Sequence, residues 1–179
     1  QYLKFDKCLG IGEIGLDYFY DFAPKELQIE VFQKQWKLAA SLDVPVELHI
    51  RDAYEDFFPA ISNLPAPTKK LLHCFSGDLE IAKKALDLGF EFSIGGVLTF
   101  PKSEVTREVF RYIPVEKIHL ETDCPYLAPQ GKRGKRNEPA NVSITIETLA
   151  KVKNLSVDEL SEILIDNAHR FFGKKLGFV

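Results

Sequence analysis

No methionine occurs among these 179 residues, and the chain begins with Gln1. Gln1 is therefore not expected to be a native translation start, and a preceding segment is expected to belong with this one. Cysteine is scarce and odd in number: Cys8, Cys74 and Cys124, without CxxC spacing. That argues against a disulfide framework and for reduced, buried thiols in a cytoplasmic protein. No apolar run approaches the roughly 20 residues of a bilayer span, so no membrane partner is expected. A basic stretch followed by an apolar one, the mark of a secretory signal, is also missing. The formal net charge of −3 argues against a generic nucleic-acid coat protein. It leaves a nuclease open, because a local basic patch and bound cations can supply a positive field. A GxGxxG turn is absent too, since Gly10, Gly12 and Gly15 have the wrong spacing and no helix follows at once.

What is present alternates. Short apolar runs at Cys8–Ile14, Val44–Ile50, Leu71–Phe75, Phe90–Ile94 and Lys117–Glu121 read as strands buried on both faces. Between them the pattern predicts helices. The first is announced by Pro24 and carries Leu27, Val31, Leu38 and Leu42, with Phe32, Trp36 and Ala40 on an adjoining stripe. Others are expected over Ala53–Ser62, Leu79–Leu88 and Ser103–Tyr112, the third stopping at Gly89. Two more follow the last strand, at Val142–Lys153 and from a Ser156/Glu159 capping box to Phe172. Strands alternating with such helices imply βα units and a parallel sheet in an α/β fold. With 45% hydrophobic residues the chain can build one domain over residues 1–179. A complete (β/α)8 barrel takes about 250 residues, so the chain is expected to be such a barrel truncated to about its last five units.

Polar residues gather where parallel folds place their chemistry, at the C-terminal ends of strands. Those ends carry Glu13 and Asp17, then His49, Arg51 and Asp52, then His73 and Ser76, and finally Glu121 and Asp123. The fourth strand ends in Gly95–Gly96, which leaves space instead of a ligand. Each residue alone has an ordinary explanation, such as a helix cap for Asp52. Together, two histidines and two acids at matching places face one cavity in a closed barrel, and they are the ligands that a hydrolytic divalent metal needs. The expected partition has Glu13 bridging two ions, His49 and His73 on one, and Asp123 on the other, where it also accepts a proton from a metal-bound hydroxide nucleophile. His119, in mid-strand, and His169, in the last helix, read as structural.

Five stretches then resemble one family. Gly12-Glu13-Ile14-Gly15-Leu16-Asp17-Tyr18 resembles the Gly-Glu-x-Gly-Leu-Asp motif of the TatD family of metal-dependent deoxyribonucleases, and so do Pro45 to Ala53 and His73-Cys74-Phe75-Ser76-Gly77. Glu121 to Pro129 matches the end of that family's last barrel strand, and Arg136-Asn137-Glu138-Pro139 matches a further signature. The likeness runs from about Cys8 to Gly173. It implies a TIM-like barrel of the metal-dependent hydrolase type, one or two divalent ions (Mg, Mn or Zn) and hydrolysis of DNA phosphodiester bonds, often from the 3′ to the 5′ end. Carried over by position, the metal ligands are Glu13, His49, His73 and Asp123. The family also begins with a strand bearing a His-x-His pair, which this chain lacks, so an N-terminal segment is expected to complete the barrel.

DNA is thus the expected substrate. The basic run Lys132-Arg133-Gly134-Lys135-Arg136 leaves the same end of the expected barrel and suits phosphate contact, with Arg51, Ser76 and Glu138 as further candidates. Phe19, Tyr20 and Phe22 read either as core edge or as a base-stacking platform. Two rivals share the residues: a hydrolase of esters or amides such as an aminoacyl-tRNA deacylase, and an inactive fragment or nucleic-acid-binding scaffold.

Overall fold

The computed structural model describes Leu3, Phe5 and residues 7–173; Gln1 lies outside them. The described residues form two compact units, one running to His73 and rejoined from His169, the other spanning Cys74–Ala168.

In the first unit, β1 (Ile11–Asp17), β2 (Val46–Arg51) and β3 (Lys70–Leu72) run parallel with β2 in the middle. α1 (Lys25–Leu42) and α2 (Tyr54–Ile61) make the crossovers. β1 begins later and runs further than the apolar run suggests, because Leu16 and Asp17 stay in register with Ile50 and Arg51. β2 is not apolar on both faces. Val46, Leu48 and Ile50 are buried on one side, while Glu47, His49 and Arg51 alternate onto the other. One face therefore builds core and the other builds a site.

α1 ends where Asp43 turns left-handed at φ 47, just ahead of Val44–Pro45. Its sequence offers two adjoining apolar stripes. Phe32 and Trp36 of one stripe are buried, with Ala39 rather than the expected Ala40, which is half-buried. The other, Leu27, Val31, Leu38 and Leu42, stands 45–50% exposed. A helix lying on β1 can turn only one stripe inward. The Trp36 indole donates to the Pro65 carbonyl at 2.9 Å, and Phe32 packs against Phe57, tying both helices to one core.

The second unit holds α3 (Leu79–Asp87), β4 (Glu91–Ile94), α4 (Glu104–Tyr112), β5 (Ile118–Leu120), α5 (Val142–Lys153) and most of α6 (Val157–Phe172). β4 and β5 pair in parallel, Ser93 opposite His119. Phe75, Phe92 and Phe110 form an aromatic core beside them. The buried His119 reaches Glu91 at 2.7 Å, a structural pairing as expected. The Asn167 amide of α6 donates to the carbonyls of Val115 and Ile118, both at 2.8 Å, and so pins the start of β5. The Ser156 capping box forms at the head of α6: Ser156 N–H donates to Glu159 and Glu159 N–H to the Ser156 hydroxyl. The space expected at Gly95–Gly96 is filled, because the backbone of Leu127 and Pro129 lies where a Cβ on Gly96 would be.

All three cysteines are free thiols, but none is fully buried: Cys8 and Cys74 are half-buried, and Cys124 is exposed in the loop beyond β5. Among the described residues no helix is long and apolar enough to cross a membrane.

Candidate metal centre

Three strands of the first unit deliver three candidate ligands. The register irregularity between Ile11 and Ile14 falls on Glu13 of β1. Glu13 is thus an interior residue of β1, not its end, and a bulge is a common way to re-aim a side chain. Beyond the bulge, Gly15 pairs with His49, and a Cβ on Gly15 would run into the His49 carbonyl oxygen. Only glycine permits that approach. His73 follows β3 directly, its N–H donating to the Leu48 carbonyl at 2.9 Å, beside His49 on β2.

Both imidazoles consequently turn toward one carboxylate. Glu13 Oε1 lies 2.9 Å from His49 Nδ1 and 3.4 Å from His73 Nε2, and the two rings are 6.3 Å apart. The donor atoms of Glu13, His49 and His73 all lie within 4.8 Å of one another. Two imidazole nitrogens and a carboxylate oxygen are a donor set for a divalent transition ion, so the residues fit the metal that the sequence led us to expect. Glu13 is half-exposed and borders an open cleft of about 340 Å³ lined by Gly15, Asp17, Gln28 and His49, so a substrate can reach it.

The outer nitrogens also face carboxylates. His49 Nε2 lies 2.9 Å from Asp17 Oδ2, and His73 Nδ1 lies 3.7 Å from Glu47. Partners of this kind fix the ring orientation of a ligating histidine. The sequence places Asp17 at a strand end without a role and gives Glu47 none. The signals were available: Asp17 closes the Gly-Glu-x-Gly-Leu-Asp motif, and Glu47 shares a face with His49 once β2 alternates. Electrostatics follow the geometry. The hydrogen bond from His49, helped by the charge of His73, holds the Glu13 carboxyl below its ordinary value against the opposing effect of burial. The bond to Glu13, and then that to Asp17, raises the His49 imidazole above its ordinary value. At Asp17 burial pushes upward but is outweighed by bonds from His49 and the Tyr20 and Phe19 amides, so its carboxyl also lies low.

Of the other sequence candidates, Arg51 belongs to this unit and places its guanidinium 3.7 Å from the centre of the Phe19 ring. The rest lie in the second unit. Ser76 is exposed in the loop before α3. Asp123 lies three residues past β5, half-buried and left-handed at φ 54. Lys132, Arg133, Arg136 and Glu138 are exposed further along that loop, with Arg133 stacked 4.5 Å from the centre of the Phe100 ring. The buried Asn137 organises the whole segment. Its amide donates to the carbonyls of Thr122 and Tyr126, both at 2.7 Å, and its carbonyl accepts from Glu138 N–H and Asn141. The sequence named Asn137 only within the Arg136-to-Pro139 signature and gave it no role of its own.

Comparison with known proteins gives the family. The family model described as TatD related DNase matches residues 1–173. The chain is 39% identical over 168 residues to the uncharacterized metal-dependent hydrolase YabD of Bacillus subtilis, covering 93% of this chain and 66% of that protein. It is 40% identical over 165 residues to the uncharacterized metal-dependent hydrolase YcfH of Escherichia coli K12, covering 92% and 62%. Among solved structures, the TatD homologue YjjV of Escherichia coli K12 superposes with a TM-score of 0.86 at 32% identity, covering 92% of this chain and 63% of that one. A TatD family hydrolase from Entamoeba histolytica gives 0.80 at 26% identity, covering 94% and 65%. The chain therefore spans less than two thirds of the length of these relatives.

Proposed function

The chain belongs to the TatD related DNase family of metal-dependent hydrolases, and from that premise we propose that it cleaves phosphodiester bonds in DNA with a divalent ion held by Glu13, His49 and His73. The observation that carries this reading is the convergence of two imidazoles on the Glu13 carboxylate beside an open cleft. When bound, a divalent ion supplies Lewis acidity at the scissile phosphoryl group and lowers the pKa of water in its coordination shell.

The chain's own residues do the rest. Glu13, His49 and His73 would hold the ion, and Asp17 keeps the His49 ring turned toward Glu13. We assign Asp123 the fourth ligand position and the role of proton acceptor, on its family motif and its place just past β5. In this proposal the Glu13 carboxylate would be shared if two ions were held, and Lys132, Arg133 and Arg136 contact phosphates.

The test is hydrolysis of a fluorescent single-stranded DNA by the purified chain with Mg, Mn or Zn. Cleavage is expected that EDTA abolishes and that His73→Ala lowers by at least about 100-fold, the scale on which losing a transition-state stabilising group acts. Cleavage indifferent to chelator and to His73→Ala would overturn the metal reading.

A further inference from the structure

Beside the metal centre, three large rings stand in water. Phe19 is 56%, Tyr20 46% and Phe22 87% exposed. They form one aromatic cluster. Phe19 meets Tyr20 edge-on at 4.8 Å between centres, and Tyr20 lies nearly parallel to Phe22 at 5.0 Å and 13°. Clustered exposed rings mark binding surfaces.

Two further observations identify what the rings receive. The stack is tied to a ligand of the metal centre. Asp17 reaches His49 through one carboxylate oxygen and accepts the Phe19 and Tyr20 backbone N–H groups, at 2.9 and 3.3 Å, through the other. The stack is also flanked by cations. The Arg51 guanidinium lies over Phe19 at 3.7 Å and within 5.3 Å of Tyr20, and Lys25 lies 4.2 Å over Tyr18. A flat π surface ending in a nearly bare ring, bordered by positive charge, matches an unpaired nucleobase with its phosphates.

We propose that Phe19, Tyr20 and Phe22 form a stacking platform for an unpaired base of single-stranded DNA, with Phe22 as the contacting ring and Arg51 holding the adjacent phosphate. The proposal rests on the phosphodiesterase reading of the metal centre, and it gives the cleft a preference for strands with a free base over paired ones. Phe22 extends the stack without disturbing the ligands, because the anchoring bonds run through the backbone of Phe19 and Tyr20 and not through the rings.

The experiment titrates the chain in EDTA into a single-stranded oligonucleotide carrying 2-aminopurine, whose emission falls on stacking. A matched strand with an abasic site and a fully paired duplex are the controls. Quenching is expected with the single strand, and Phe22→Ala and Tyr20→Ala should weaken binding by about 5- to 100-fold each. Phe22→Leu, which keeps the bulk and loses the π face, should behave like Phe22→Ala. Unchanged Trp36 emission verifies folding of each variant. Abasic and duplex controls that bind as tightly as the labelled strand, or variants that bind like wild type, would overturn the platform. Metal-dependent DNA cleavage is measured in parallel, so the two readings can fail separately. Cleavage without base-dependent binding removes the platform alone, and binding without cleavage removes the phosphodiesterase.

Discussion

At His49 two carboxylates share one imidazole, Glu13 at Nδ1 and Asp17 at Nε2, each 2.9 Å away. That arrangement makes the proton a competitor of the metal. The Glu13 hydrogen bond, then the Asp17 bond, raises the pKa of His49, so in the metal-free chain the ring stays charged to a higher pH than an ordinary histidine. A divalent ion needs the neutral ring. Metal binding is therefore expected to strengthen as pH rises through the elevated His49 value and to weaken as pH falls below it. Titrating the ion into weakly buffered protein near pH 6.5, with an indicator dye, should show protons released; release that is absent, or uptake, would contradict the assignment. Glu13 and His49 were legible from residue type and motif. Asp17 as a partner of His49 was not, because its role depends on the register that sets β1 beside β2.

Among the elements, α4 and α5 are joined by one lysine. The Lys153 ammonium at the end of α5 donates to the carbonyls of Phe110, Arg111 and Ile113 at 3.1, 3.2 and 2.6 Å, closing the C-terminal end of α4. Burial holds its pKa below the ordinary lysine value, yet three carbonyl acceptors at a helix C-terminus favour the charge. Lys153→Met is expected to cost about 1–3 kcal/mol of stability in urea unfolding, with little effect on metal affinity. A variant as stable as wild type would show that the contact contributes nothing. The order of strands and helices was readable because period and punctuation are local: Pro24 before α1, the Ser156/Glu159 box and the apolar runs. The ends of β1 and the faces of β2 and α1 were not, because they depend on which neighbour covers which side. Leu27 and Val31 look like core in sequence and stand exposed, whereas the run at Cys8 yields its first residues to the loop before β1.

For the molecule as a whole, the lone tryptophan gives a reporter. Trp36 is buried in the unit that holds the three ligands. Because an ion bound only by the folded state stabilises it, Trp36 emission should show a higher melting midpoint with saturating metal, equivalent to about 2.7 kcal/mol at a hundredfold excess over Kd. His73→Ala should abolish the rise; a rise of equal size in that variant would place the ion elsewhere. The chain spans 66% of YabD and 62% of YcfH. The central claim is that Glu13, His49 and His73 hold the ion, and anomalous diffraction from a zinc-soaked crystal tests it most directly. A peak about 2.0–2.2 Å from Glu13 Oε1, His49 Nδ1 and His73 Nε2 is the predicted result. A zinc peak on other side chains, with these three atoms unligated, would contradict it.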